Sequence, residues 1–179
     1  LHLSIRRQRQ MCIRDSCRFG TQYTTQLGIR LEKTFEYIDT PHKFKMGVSG
    51  CPRSCVESGV KDFGVISVEN GFQLYIGGNG GTEVTKGQLL TTVETEDEVI
   101  RICGALMQYY RETGIYSERT APWLERLGFE NVKEVLLDPE RQQALFDRVM
   151  EAKQAIQDEP WQAIVNDKAS QKIFEVERV

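Results

Sequence analysis

The residues best suited to chemistry in this 179-residue chain are its five cysteines, Cys12, Cys17, Cys51, Cys55 and Cys103. Cys51 and Cys55 lie in Gly50-Cys51-Pro52-Arg53-Ser54-Cys55, where two thiolates separated by three residues can converge on one metal centre if the chain turns between them. Gly50 permits close backbone approach, Pro52 stiffens the turn, and Arg53 places positive charge beside an anionic thiolate group. Taken alone, the spacing describes equally well a pair of buried or merely adjacent thiols. Other thiol patterns are absent: Ser58 stands where a radical-enzyme motif needs a cysteine, no ferredoxin-like run occurs, and a zinc ribbon needs two close pairs. An odd cysteine count without a secretory start favours metal ligands, catalytic groups or core fillers over a disulfide framework. His2 and His42 lack a partner histidine.

The elements that must hold these thiols are legible from periodicity. Tyr23, Leu27, Leu31 and Phe35 recur every fourth residue and predict a helix from Thr21 to Phe35, ended before Thr40-Pro41. Phe44, Met46 and Val48 alternate with Lys43, Lys45 and Gly47, which predicts a strand carrying both lysines on one face. Segments 63–68 and 72–76 flank Asn70-Gly71, a strong hairpin signal, and Gly77-Gly78-Asn79-Gly80-Gly81 is a glycine-rich loop able to turn backbone amides toward acidic groups. The remainder reads as helical. Thr95 and Glu98 have capping-box spacing ahead of a stripe of Val99, Ile102, Cys103, Leu106 and Tyr110, which makes Cys103 a core residue. Two short helices follow around 122–127 and 132–137. A longer one, capped by Asp138 with Pro139 in its first turn, carries Leu145, Phe146, Val149, Met150 and Ile156 inward. Tyr109, Tyr110, Trp123 and Trp161 read as packing aromatics. The expected fold class is α+β: a small, mainly antiparallel sheet packed by helices, with a helical C-terminal part.

Hydrophobic residues at 40 % and charged residues at 27 % describe a globular chain of about one domain that can bury a core. The net charge of −3 is uneven: residues 1–16 hold four arginines against one aspartate, leaving net −6 over residues 17–179. That balance argues against nucleic acid as a partner. No apolar run approaches the roughly 18–20 residues that cross a bilayer, and residues 1–16 lack the apolar centre of a secretory signal. The expectation is a cytoplasmic protein without a membrane partner.

Five segments carry a resemblance in their order along the chain: Cys-Arg-Phe-Gly at 17–20, His-Lys-Phe-Lys-Met at 42–46, Gly-Cys-Pro-Arg-Ser-Cys at 50–55, Lys-Asp-Phe-Gly at 61–64 and Gly-Gly-Asn-Gly-Gly at 77–81. Over about residues 17–160 they resemble the sirohaem and iron–sulfur domain of the nitrite and sulfite reductase family, in particular the large subunits of its NADH-dependent assimilatory nitrite reductases. The resemblance implies a [4Fe-4S] cluster held by four cysteines. Cys17 corresponds to the second ligand, Cys51 to the third, and Cys55 to the fourth, which also bridges to the sirohaem iron. The first ligand belongs at position 11, which is Met11 here, while Cys12 is one residue out of register. The text SIRRQRQMCIRDS resembles the conceptual translation of a sequencing adapter, which would have replaced that ligand and left a piece of a longer enzyme. The alternative keeps Cys12 as the fourth thiolate after a loop adjustment.

The family's chemistry is the six-electron reduction of nitrite to ammonium, which no side chain can supply. Sulfite reduction is the sister reading, and a noncatalytic iron–sulfur relay module is the alternative from another class. Lys43 and Lys45 are candidates for cations beside the anionic substrate and haem, against a plain reading as solvated lysines. Arg53 and Arg18 are candidates for contacts to sirohaem carboxylates, against surface ion pairs. FAD and NAD(P)H belong only to the upstream domains that the resemblance implies, and a small subunit or a second copy is a further partner class. The literal chain is expected to be inactive by itself. Its expected organisation is an unstructured, non-native segment over 1–16, a half-domain core over 17–93, a helical part of the same domain over 94–160, and a weakly ordered tail over 161–179.

Overall fold

The computed structural model of the chain describes residues 10–14 and 20–157. The two-residue period around Met46 forms β2 (Phe44–Ser49), with Phe44, Met46 and Val48 buried. The hairpin forms from β3 (Phe63–Val68) and β4 (Gly71–Ile76), but Val68 pairs with Gly71, so its two turn residues are Glu69 and Asn70, one position before the Asn70-Gly71 signal, and Gly71 opens β4. Gly71 takes φ +143°, and an added Cβ there would strike the Val93 backbone, so the turn needs glycine.

Three strand pairings lie outside what alternation predicts. β1 (Gln10–Arg14) pairs parallel with β2, inside the stretch expected to lack structure. The open edge of β2 presents unpaired N–H and C=O groups, and an extended neighbour satisfies them through its backbone without needing a side-chain pattern. The short β5 (Asn79–Gly80) and β6 (Val84–Thr85) close the glycine-rich segment into a small hairpin. β7 (Gln88–Val93) forms where the sequence predicts no strand, because its register with β4 shifts between Leu74 and Tyr75. That bulge spaces the buried Leu90 and Val93 three apart and hides the alternation.

The main sheet runs β1-β2-β3-β4-β7. β1–β2 and β2–β3 are parallel, whereas β3–β4, β4–β7 and the small β5–β6 pair are antiparallel. The parallel β2–β3 pair demands a crossover of about a dozen residues, and residues 50–62, which contain the cysteine pair, supply it.

Helices cover one face. α1 (Thr24–Phe35) buries Leu27, Leu31 and Phe35, but it starts at Thr24, so Tyr23 precedes the helix and is 73 % exposed instead of opening the buried stripe. α2 (Glu96–Thr113) has the full capping box: Glu98 N–H donates to Thr95 Oγ1 at 3.3 Å and Thr95 N–H to Glu98 Oε2 at 3.0 Å. Cys103 on this helix is fully buried, its Sγ 3.7 Å from Met46 Sδ on the sheet. α3 (Thr120–Leu127) and α4 (Phe129–Leu137) are the two short helices. α5 (Pro139–Gln157) is capped by Asp138, whose Oδ1 accepts from Arg141 N–H at 2.9 Å, and it buries Leu145 and Val149. Tyr109 and Tyr110 meet Trp123 edge-on, with ring centroids 5.7 and 5.4 Å apart, as packing aromatics do. Trp161 and the expected tail lie outside the described residues. No helix among the described residues is long and apolar enough to cross a membrane.

Candidate functional site

The opposite face of the sheet is where the cysteine crossover folds back. Gly47 of β2 and Gly64 of β3 are paired in register and leave a flat spot on that face. A Cβ on Gly64 would collide with the Ser58 carbonyl, and one on Gly47 would lie 2.8 Å from Lys61 Cγ and 3.3 Å from Ser58 Cα. The 3₁₀ turn Ser58–Val60 therefore rests directly on the sheet, where Ser58 Oγ and Ser49 Oγ share a buried hydrogen bond of 2.8 Å.

Between Ser49 and that turn the chain runs through successive tight turns. Ser54 N–H donates to the Cys51 carbonyl at 3.1 Å, Glu57 N–H to the Ser54 carbonyl at 2.8 Å and Val60 N–H to the Glu57 carbonyl at 3.0 Å. Ser54 and Glu57 both take left-handed backbone angles, φ +50° and +56°, a strained conformation for non-glycine residues. The result places Cys51 buried at the end of β2 and Cys55 exposed one turn further on. Ser54 Oγ is buried between them in sequence and has no hydrogen-bond partner among the described residues. Two thiols on successive tight turns, with an unused hydroxyl beside them, fit the soft donor set of an iron–sulfur centre. Among the described residues no three Cys, His, Asp or Glu side chains converge.

The other expected ligand, Cys17, lies outside the described residues, as do Arg18 and the side chains of Met11 and Cys12. Thr21 is described: its N–H and its Oγ1 both donate to the Gly50 carbonyl, at 2.7 and 3.0 Å. Arg53 is exposed. His42 Nδ1 accepts from Lys43 N–H at 2.8 Å.

Lys43 is exposed just before β2, and Lys45 is partly buried on the crossover face. Burial first, then Lys43 and Arg119, push the Lys45 ammonium below the ordinary lysine range. Asp62 opposes them and Lys61 adds to them. Sequence reasoning missed this neighbourhood. Asp62 is fully buried; its carboxylate accepts from Lys45 N–H at 2.8 Å, from Arg119 Nη2 at 3.0 and 2.9 Å, and from the Thr120 hydroxyl. Lys61 Nζ lies 3.4 Å from Glu57 Oε2. A Lys-Asp pair directly before an apolar strand, and glycines inside two strands, were the available signals for the carboxylate hub and for the close backbone approach.

The glycine-rich segment serves packing more than amide presentation. Gly77 N–H and Gly78 N–H are spent on the Asp62 and Lys61 carbonyls, at 3.1 and 2.9 Å, and a Gly78 Cβ would come within 2.5 Å of the Lys61 carbonyl oxygen. A cleft of about 570 Å³ opens between the cysteine crossover and this hairpin, lined by Ser54, Glu57, Val60, Gly80, Val84 and Lys86.

A family model described as the nitrite and sulphite reductase 4Fe-4S domain matches residues 5–144. The chain is 52 % identical over 160 residues to a nitrite reductase (NAD(P)H) of Bacillus subtilis strain 168, covering 89 % of this chain and 20 % of that protein. To the nitrite reductase (NADH) large subunit of Escherichia coli K12 it is 39 % identical over 135 residues, covering 74 % of this chain and 16 % of that one. The solved Mycobacterium tuberculosis NirA protein superposes with a TM-score of 0.62 at 20 % identity, over 70 % of this chain and 26 % of that structure, a likeness of fold. The chain thus spans a fifth or less of the length of these two nitrite reductases. Its paired thiols at the end of β2, the crossover that carries them and a family match over most of its length lead to one assignment: the chain belongs to the nitrite and sulphite reductase 4Fe-4S domain family.

Proposed function

We propose that this chain is the part of an assimilatory nitrite reductase that holds a [4Fe-4S] cluster and sirohaem. The observation that carries the proposal is the Cys51–Cys55 turn, tied at Gly50 to Thr21. Arg14 pairs with Val48 and Thr21 with Gly50, so Cys17 belongs to a short stretch whose two ends are anchored beside Cys51. Chain length limits its Cα to about 11 Å from Arg14 and about 14 Å from Thr21. Cys12 is paired with Met46, about 10 Å along β2 from Ser49.

On this reading Cys17, Cys51 and Cys55 would hold the cluster and its coupled sirohaem, and Ser54 would donate toward the sulfur-rich centre. The coupled cofactors, when bound, would relay to nitrite the six electrons, drawn from three NAD(P)H, that its conversion to ammonium requires. Lys43 and Lys45 attract the anion from the crossover face, and Arg53 and Arg18 neutralise sirohaem carboxylates at the rim. The cleft lined by Ser54 and Glu57 supplies room beside the cysteine crossover. NAD(P)H and FAD act in other parts of the longer polypeptide, and the setting is cytoplasmic.

The test is a chimera in which residues 17–160 replace the matching stretch of the Bacillus subtilis reductase. Cluster EPR, sirohaem absorption and nitrite-dependent NADH oxidation are expected. Cys51→Ser or Cys55→Ser should abolish the cluster signal, and full iron content with normal turnover in Cys55→Ser would refute the assignment. Lys43→Ala with Lys45→Ala should weaken nitrite turnover at unchanged haem content. The family description covers sulphite as well, so a higher kcat/KM for sulfite than for nitrite would transfer the chain to the sister activity. Cluster without haem absorption would mark a relay module.

A further inference from the structure

Asp62 has zero exposure, and a buried carboxylate persists only where its neighbours match it. Its partners come from two separate elements. Lys45 N–H belongs to β2, one residue outside the register that pairs Met46 with Phe63, so the carboxylate replaces the missing rung of the β2–β3 ladder. Arg119 and Thr120 stand at the start of α3, and both grip the same carboxylate. Terminating a strand needs only a neutral acceptor, which asparagine or serine would provide; a carboxylate adds charge.

That charge has an evident recipient. Lys43, two residues before Lys45 in the same alternation, Lys61 ahead of β3 and Arg119 ahead of α3 are the cations that bear on Lys45, and Asp62 is the anion among them. Glu57 is engaged with Lys61.

We propose that Asp62, clamped by Arg119 and Thr120, is the positioning residue for Lys45: it anchors the backbone from which the lysine projects and keeps its ammonium protonated among like charges. The consequence for turnover rests on the substrate-side role proposed for Lys45; the positioning itself does not. An ammonium attracts an oxyanion only while it holds its proton, so the arrangement sets the alkaline limit of anion capture.

The experiment uses the whole chain labelled with ¹³C at the lysine ε carbons, following the Lys45 titration by NMR with the resonance assigned by Lys45→Arg. Asp62→Asn keeps shape and a hydrogen-bond acceptor while removing the charge, and the Lys45 midpoint should fall by about half a pH unit or more. Arg119→Gln removes an opposing cation and should move the midpoint up. An unmoved midpoint in folded Asp62→Asn overturns the proposal. If that variant does not fold, Arg119→Gln decides alone, and a midpoint that stays or falls overturns it; if neither folds, the pair is a structural strut and the proposal fails. In the chimeric reductase, Asp62→Asn should shift the alkaline limb of nitrite kcat/KM to lower pH. Unchanged nitrite kinetics in Lys45→Met would remove the substrate-side role while leaving the NMR result standing.

Discussion

Replacing Gly64 with alanine would put a methyl group where the Ser58 peptide lies. The added Cβ would sit 2.7 Å from the Ser58 carbonyl carbon and closer still to its oxygen. Ordinary carbon contacts begin near 3.4 Å, so the turn must retreat by at least about 0.7 Å. The Ser49–Ser58 hydrogen bond, 2.8 Å long and buried, then stretches to the edge of bonding. Overpacking costs about 1–3 kcal/mol and the weakened buried bond about 1 kcal/mol more, for roughly 2–4 kcal/mol in total. In a domain of this size that lowers Tm by about 4–16 °C. Because the same turn closes the crossover carrying Cys51 and Cys55, iron content after anaerobic reconstitution of the chimera should fall as well. Calorimetry and iron analysis read the two effects. Gly59→Ala is the control, since nothing lies within 4 Å of its Cβ position and it should leave both unchanged. A Gly64→Ala protein that melts within about 2 °C of the parent and retains its iron would refute the claim that paired glycines seat the cysteine crossover.

Lys153 of α5 donates to the Lys33 and Glu36 carbonyls at 3.3 and 2.7 Å, closing the C-terminal end of α1. Lys153→Met keeps the buried stem but leaves those carbonyls unpaired, and urea unfolding should report a loss of about 1–3 kcal/mol. On the acid side, hydrogen bonding to Arg126 holds the Glu118 carboxyl below the usual carboxylate range. Its stabilisation is present above the unfolded-state value near pH 4.3 and is lost as pH falls through the lower folded-state value. Glu118→Gln should therefore flatten the stability-versus-pH curve below about pH 5.

Much of the molecule is legible without coordinates because it depends on local period. Alternation at Phe44, Met46 and Val48, the hairpin beside Asn70-Gly71, the Thr95–Glu98 box and the Asp138 cap are each decided by backbone geometry within a few residues, and each forms. The cysteine pair and the ordered motifs identify the family for a similar reason: spacing along the chain survives as spacing on a turn.

Other features depend on which distant segments meet. Parallel pairing of β1 and β3 with β2 leaves no mark in alternation, since either strand direction has the same two-residue period. The β7 bulge removes that period altogether. Tyr23 matches the α1 stripe by spacing yet stays exposed, because the helix begins one residue too late to turn it inward. Asp62 and Arg119 are 57 residues apart, and Gly47 meets Gly64 only after a crossover. The sequence by itself thus determined which residues could bind metal and which faces are apolar, both consequences of composition and short-range period. Only the tertiary structure decided where the cysteine crossover is seated and which carboxylate binds the Lys45 backbone, because long-range contacts are selected by the packing of the whole chain.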